Sequence, residues 1–174
     1  VVGGIIAQAK NCIIKDCINR GDITTYGYTA GIVAGLTNTD NRPCTTSITG
    51  CTNEGKVESI AKGNHTYTAG ICIIYNGSNG STYADELIIN NCVNNGEIEG
   101  DTVAGIIGNS SGNLKLSDCE NNGAINGRYS AGGIAQCIEN KNSNEAEVSN
   151  CINNGNVFGG AEAAGIIDYA EGIT

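Results

Sequence analysis

The sequence predicts an all-β chain built as a parallel β-helix, or β-solenoid, of about five stacked coils. Three observations carry that prediction. The phrase Cys-x-Asn-x-Gly-x-Ile/Val recurs five times, beginning at Cys17, Cys51, Cys92, Cys119 and Cys151. A second phrase, small-Gly-x-aliphatic, alternates with it at Ala30-Gly31, Ala69-Gly70, Ala104-Gly105, Ala131-Gly132 and Ala164-Gly165, and Gly3-Gly4-Ile5-Ile6 reads as a sixth copy. Nothing keeps the 3.6-residue period of a helix over about 11 residues. A repeat of this length means an array in which no unit buries its apolar face alone.

Each unit contains three short β-type runs. The first is marked by an aliphatic three residues before each repeat Cys (Ile14, Ile48, Ile89, Leu116, Val148) and a mostly apolar residue five before it (Cys12, Thr46, Leu87, Leu114, Ala146). The second runs from the Cys to the Ile/Val of the phrase. The third is the small-Gly strand, with Val33, Cys72, Ile107, Ile134 and Ile167 in one column. Short runs bounded by Gly and Asn are strand signals. Successive repeat Cys residues are separated by 34, 41, 27 and 32 positions. The excess falls after the small-Gly strand (Thr37 to Thr45, Tyr75 to Asp85, Asn140 to Asn144) and at Ile60 to His65 in the second unit. Insertions confined to such corners are what a solenoid tolerates.

An Asn two residues past each Cys, with Gly two further on, is corner chemistry. Asn tolerates left-handed backbone geometry and Gly adopts it without a steric penalty. With units about 4.8 Å apart, identical amides also hydrogen-bond to one another. Asn19, Asn53, Asn94, Asn121 and Asn153 are therefore expected either to form a ladder or to cap their local turns.

Nine Cys residues occur. Five share one repeat column, and a free Cys behaves as a small buried hydrophobe. Cys17, Cys51, Cys92, Cys119 and Cys151 are accordingly expected to form a thiol ladder rather than disulfides. Cys12 and Cys72 stand in columns otherwise held by Leu, Ala, Ile or Val. Cys44, beside Pro43, and Cys137 sit off the apolar columns. The odd total leaves at least one thiol free or paired with another molecule. The absence of a C-x-x-C pair, with His65 as the sole His, argues against zinc, and no cofactor or metal is expected.

The 174 residues suffice for a single repeat domain spanning 1–174. The chain opens within a repeat and is expected to be a fragment of a longer polypeptide, or a polymerising unit, with any targeting segment outside it. No apolar run approaches the roughly 18 residues of a membrane span, so no membrane insertion is expected. A net charge of −9 and a pI near 4.4 argue against nucleic acid and anionic membrane surfaces, which demand clustered Lys and Arg. Gly is abundant at 26 residues but follows no three-residue period, which excludes collagen.

These phrases resemble the GLUG-type repeats of bacterial surface proteins, including the repeat region of zinc-dependent immunoglobulin-A-cleaving proteases. In that family small-Gly-Gly-Ile-x-Gly alternates with aliphatic-x-x-Cys-x-Asn-x-Gly-x-Ile/Val. Ala131-Gly132-Gly133-Ile134-Ala135 with Val148, Cys151, Asn153 and Gly155 matches closely, and the likeness covers nearly the whole chain. In most copies the second Gly is replaced, by Ile32, Ile71, Ile106 or Ile166. The resemblance implies a secreted, right-handed β-helix acting as stalk, spacer or adhesive surface. The protease's metal-binding motif has no counterpart here.

The function expected is a non-enzymatic structural or adhesive module of a secreted or cell-surface protein. Its partners would be a host or cell-wall protein or glycan. A self-assembling extracellular fibre, joined through open β-helix ends, is the first alternative. A polysaccharide-acting β-helix enzyme is the second, with Asp85, Glu86, Glu97, Glu99 and Asp101 as candidate carboxylates. No Lys or Arg lies near them in sequence to hold an anionic sugar. The Thr residues of the first units fade too soon for a repeated ice-binding face, and no calcium-binding loop of known pattern occurs. Four N-x-S/T tripeptides, at Asn64, Asn76, Asn79 and Asn109, mark glycosylation loops if the source is eukaryotic. Tyr28, Tyr67 and Tyr129 each stand two before the Ala of the small-Gly phrase. They form an outward aromatic row for carbohydrate or protein contact, or simply pack over the unit below.

Overall fold

A computed structural model describes residues 1–36, 45–63, 66–75, 86–139 and 145–173. Among these there is no helix, and every strand pairing is parallel. Four sheets result. The first contains Ile13–Lys15, Thr45–Thr49, Glu86–Asn90, Asn113–Ser117 and Ala146–Ser149. The second contains the two-residue strands Ile18–Asn19, Thr52–Asn53, Val93–Asn94, Glu120–Asn121 and Ile152–Asn153. The third, of nine strands, includes Ile98–Ala104 and Ile125–Gly132. The fourth includes Val33–Leu36, Cys72–Tyr75, Ile107–Ser110 and Ala135–Glu139. From Ile13 onward the chain visits the sheets in this fixed order five times over, and each strand pairs with its equivalent from the neighbouring repeat.

Four sheets rather than three runs means that the second expected run is broken. The chain makes a short strand at x-Asn, turns through x-Gly, and re-enters extended structure at the Ile/Val, which belongs to the third sheet: Ile23, Val57, Ile98 and Ile125 pair in succession. The small-Gly phrase is likewise a joint and not a strand interior. Ala30 closes Thr29–Ala30 in the third sheet and Val33 opens Val33–Leu36 in the fourth.

The backbone register also moves one alignment by a residue. Ala104 pairs with Gly132, and Gly132 with Ala164, so the fourth copy of the phrase is Gly132-Gly133-Ile134 and not Ala131-Gly132. Ala135, not Ile134, stands in the column of Val33, Cys72, Ile107 and Ile167. The cause is a bulge. Gly100 pairs with Gly127 but Thr102 with Ser130, so Arg128 and Tyr129 together oppose Asp101. With that extra residue recognised, every copy reads small-Gly-Ile: Ile32, Ile71, Ile106 and Ile166 stand level with Ile134, and Ala30, Ala69, Ala104 and Ala164 stand where the fourth copy has Gly132.

Left-handed backbone does not fall where the Asn and Gly of the phrase suggest. It falls one residue before the Cys: φ is 53° at Asp16, 64° at Gly50, 52° at Asn91, 53° at Asp118 and 53° at Asn150. Asp, Asn and Gly are the residues that visit this region at least cost. The turn re-aims the chain from the first sheet into the second.

The main core lies inside the four sheets. It joins Ile14, Ile48, Ile89 and Leu116 of the first to Cys51, Cys92 and Cys119 and to Val33, Cys72, Ile107 and Ala135 of the fourth. A smaller cluster, Val57, Ile98, Val103, Ile125 and Ala131, backs the third sheet. Each fully buried Ile or Leu contributes about 1.5–3 kcal/mol. Of the insertions, Ile60 to Gly63 lies between the third-sheet strands Val57–Ser59 and Tyr67–Ala69. Residues 37–44, 76–85 and 140–144, and His65 with Asn64, lie outside the described residues.

Candidate functional site

The repeat Asn residues form a continuous row of amides. Asn19 Nδ2 donates to Asn53 Oδ1 (2.8 Å), Asn53 to Asn94 (2.8 Å), Asn94 to Asn121 (2.7 Å) and Asn121 to Asn153 (2.7 Å). Each Nδ2 also donates to the carbonyl of the Gly two residues on, at 2.8–2.9 Å. The laddering and the turn-capping expected as alternatives are thus made together, one N–H for each. Asn53, Asn94 and Asn121 are fully buried, where an amide left unpaired would cost about 1–3 kcal/mol.

The second phrase is shaped to this row. A Cβ at Gly31 would come within 2.4 Å of Asn53 Cγ, at Gly70 within 2.5 Å of Asn94 Cγ, and at Gly105 within 2.6 Å of Asn121 Cγ. Close approach, and not a positive φ, demands glycine here. A second row on the exposed side, which the repeat phrase does not announce, links Asn95, Asn122 and Asn154 at 3.0 and 2.9 Å.

The thiols of Cys17, Cys51, Cys92, Cys119 and Cys151 each lie 3.1–3.5 Å from the carbonyl oxygen two residues earlier. All are free. Hydrogen bonds with neighbouring thiols, together with burial, hold Cys51 and Cys119 above the ordinary thiol range. Burial, with a smaller contribution from the Cys92 thiol, pushes the Cys72 thiol up to about 12. Cys44 lies outside the described residues; Cys137 is buried.

Of the three tyrosines, Tyr28 and Tyr67 stack, with centroids 6.1 Å apart and planes inclined by 20°. Tyr67 Oη accepts from Asn109 Nδ2 at 3.5 Å, and burial raises its pKa. Tyr129 leaves the row, because Ser130 holds the position equivalent to Thr102 and hence to Tyr67.

The candidate carboxylates are engaged. Glu86 pairs with Lys115 (2.7 Å), Glu99 with Lys56 (2.8 Å), and Glu97 accepts from Asn126 (2.8 Å). Hydrogen bonding to Glu99 raises the Lys56 pKa, and Glu86 does the same for Lys115. Asp101, fully buried, holds Arg128 Nε at 2.6 Å. The same guanidinium donates to the carbonyls of Ser59 and Ala61, tying three repeats and the Ile60 insertion together. These cations are remote in sequence and neighbours only through stacking. Asp85 lies outside the described residues, and among the described residues no group of three or more His, Cys, Asp or Glu is arranged for a metal ion.

No family model, curated protein or solved structure matches the chain.

Proposed function

We propose that this chain is a right-handed parallel β-helix of about five coils. It serves as a non-enzymatic structural or adhesive module of a secreted or cell-surface protein. The observation that carries the reading is the unbroken buried amide row from Asn19 to Asn153. Such a row couples every repeat to its neighbours and suits a spacer that must hold its length. Handedness follows the rule for parallel crossovers and the resemblance to GLUG-type repeats. The half-exposed Tyr28–Tyr67 pair is the surface that favours an adhesive role toward a host or cell-wall protein or glycan.

Extension of single molecules held between two handles tests the spacer role. The expected trace is a stiff body that resists load and then lengthens in discrete steps. A chain that lengthens smoothly from the lowest load overturns it. Binding to immobilised cell-wall glycans that falls in Tyr28→Ala would support the adhesive role, and unchanged binding would remove that surface from it.

A further inference from the structure

The thiol column carries chemistry that a purely structural module does not use. Parallel strands lie about 4.7–4.9 Å apart, inside the roughly 4.4–6.8 Å between Cα atoms that a disulfide spans. Main-chain bonds Thr52 N–Cys17 O, Val93 N–Cys51 O, Glu120 N–Cys92 O and Ile152 N–Cys119 O, each 2.9 Å, hold the column at that spacing. Equivalent side chains on such strands project the same way, so sulfur follows sulfur. The sulfurs of Cys51, Cys92, Cys119 and Cys151 each lean toward a main-chain carbonyl of the preceding repeat, 3.5–3.9 Å away, on the side where the preceding Cys of the column stands.

The members differ in access. Cys51, Cys92 and Cys119 are closed to solvent, whereas Cys17 and Cys151 are partly exposed. Of the latter two, Cys151 is held beside the buried Cys119 by the Ile152 N–Cys119 O bond, with its sulfur 3.9 Å from the Leu116 carbonyl on the Cys119 side. The neighbouring Cys119 thiol lowers the Cys151 pKa to about 7, which puts a fraction of it in the nucleophilic thiolate form near neutrality. Cys72 has no thiol neighbour in its own column, being flanked by Val33 and Ile107.

We propose that Cys151 and Cys119 together form an oxidation site for hydroperoxides, which links two adjacent repeats by a disulfide. The Cys151 thiolate attacks one peroxide oxygen, the O–O bond breaks, and an alcohol (water, from hydrogen peroxide) leaves with a proton while Cys151 becomes a sulfenic acid. Cys119 sulfur then attacks Cys151 sulfur and the S–O bond breaks. The departing hydroxide takes the Cys119 proton and leaves as water. Two thiols lose two protons and two electrons, and the peroxide is reduced to an alcohol and water. Cys119 can act only as the second thiol, because it is buried behind Cys151.

Treatment of the full reduced chain with hydrogen peroxide, followed by peptide mapping without reduction, tests this. The expected product is a Cys119–Cys151 linked peptide within one chain, with Cys72 still reduced. In Cys119→Ser the link is lost and Cys151 is trapped by dimedone as its sulfenic acid. The wild-type map decides the matter even if that variant fails to fold, as circular dichroism would reveal. Cys151 ending as sulfinic or sulfonic acid without a link, linkage only between chains, or oxidation of Cys72 before Cys151 would each overturn the proposal.

Discussion

The side chain of Asn94 makes three hydrogen bonds inside the fold: one accepted from Asn53, one given to Asn121 and one given to the Gly96 carbonyl. Asn94→Ala removes all three at a site closed to water, and a loss of about 4 kcal/mol in urea unfolding is expected. Asn153→Ala, at a partly exposed position that accepts from Asn121 and donates to the Gly155 carbonyl, should cost only about 1 kcal/mol because water can replace the lost partners. Equal losses at the two sites would show that burial of the row does not matter. The glycines opposite give a sharper contrast. A Cβ on Gly105 would lie 2.1 Å from the Gly133 carbonyl oxygen, while one on Gly165 meets nothing within 4 Å. Gly105→Ala should therefore lose at least about 3 kcal/mol, and Gly165→Ala should stay within about 0.5 kcal/mol of the parent. At this scale the Asn and Cys columns were legible because identical residues recur at fixed offsets. The left-handed column before each Cys was equally present, as Asp16, Gly50, Asn91, Asp118 and Asn150. It escaped notice because its residues share a backbone preference and not an identity.

Elements were harder to read than columns. The third-sheet strand Ile125–Gly132 carries one residue more than Ile98–Ala104, and Ala131-Gly132-Gly133 offers two frames that both satisfy a small-Gly phrase. Composition cannot choose between them; main-chain pairing does, at Ala104 with Gly132. The extra residue also brings Arg128 opposite Asp101, a pairing no sequence window contains. The Asp101 side chain is fully shielded from solvent. Arg128→Ala withdraws the guanidinium from that carboxylate and from the Ser59 and Ala61 carbonyls, and should cost about 3–5 kcal/mol in denaturant unfolding. Adding Asp101→Asn removes the buried charge and should recover part of the loss. If the double variant is less stable than Arg128→Ala by the full cost of the second change alone, the bulge is not held by this ion pair.

For the molecule as a whole, the buried Cys72 thiol contributes a response to alkali. Cys72 in the folded chain titrates near 12 against an ordinary value of 9.0, because burial disfavours the thiolate. Below pH 9 the thiol is neutral whether the chain is folded or not, and its burial contributes in full. Between pH 9 and 12 the unfolded chain ionises while the folded chain does not. The unfolded state then binds fewer protons, and stability falls as pH rises. Three pH units correspond to about 4 kcal/mol at pH 12. Tyr67, raised by burial, and Lys56, raised by its hydrogen bond to Glu99, act in the same sense, since each favours its protonated form in the folded state. Cys72→Val matches the column neighbours Val33 and Ile107 and removes the titrating group while keeping the core apolar. Urea midpoints for parent and variant should run parallel below pH 9 and diverge above it, with the variant losing less. Curves that remain parallel to pH 11 would mean that the thiol ionises as readily inside the fold as outside, and that solvent reaches the space between the sheets.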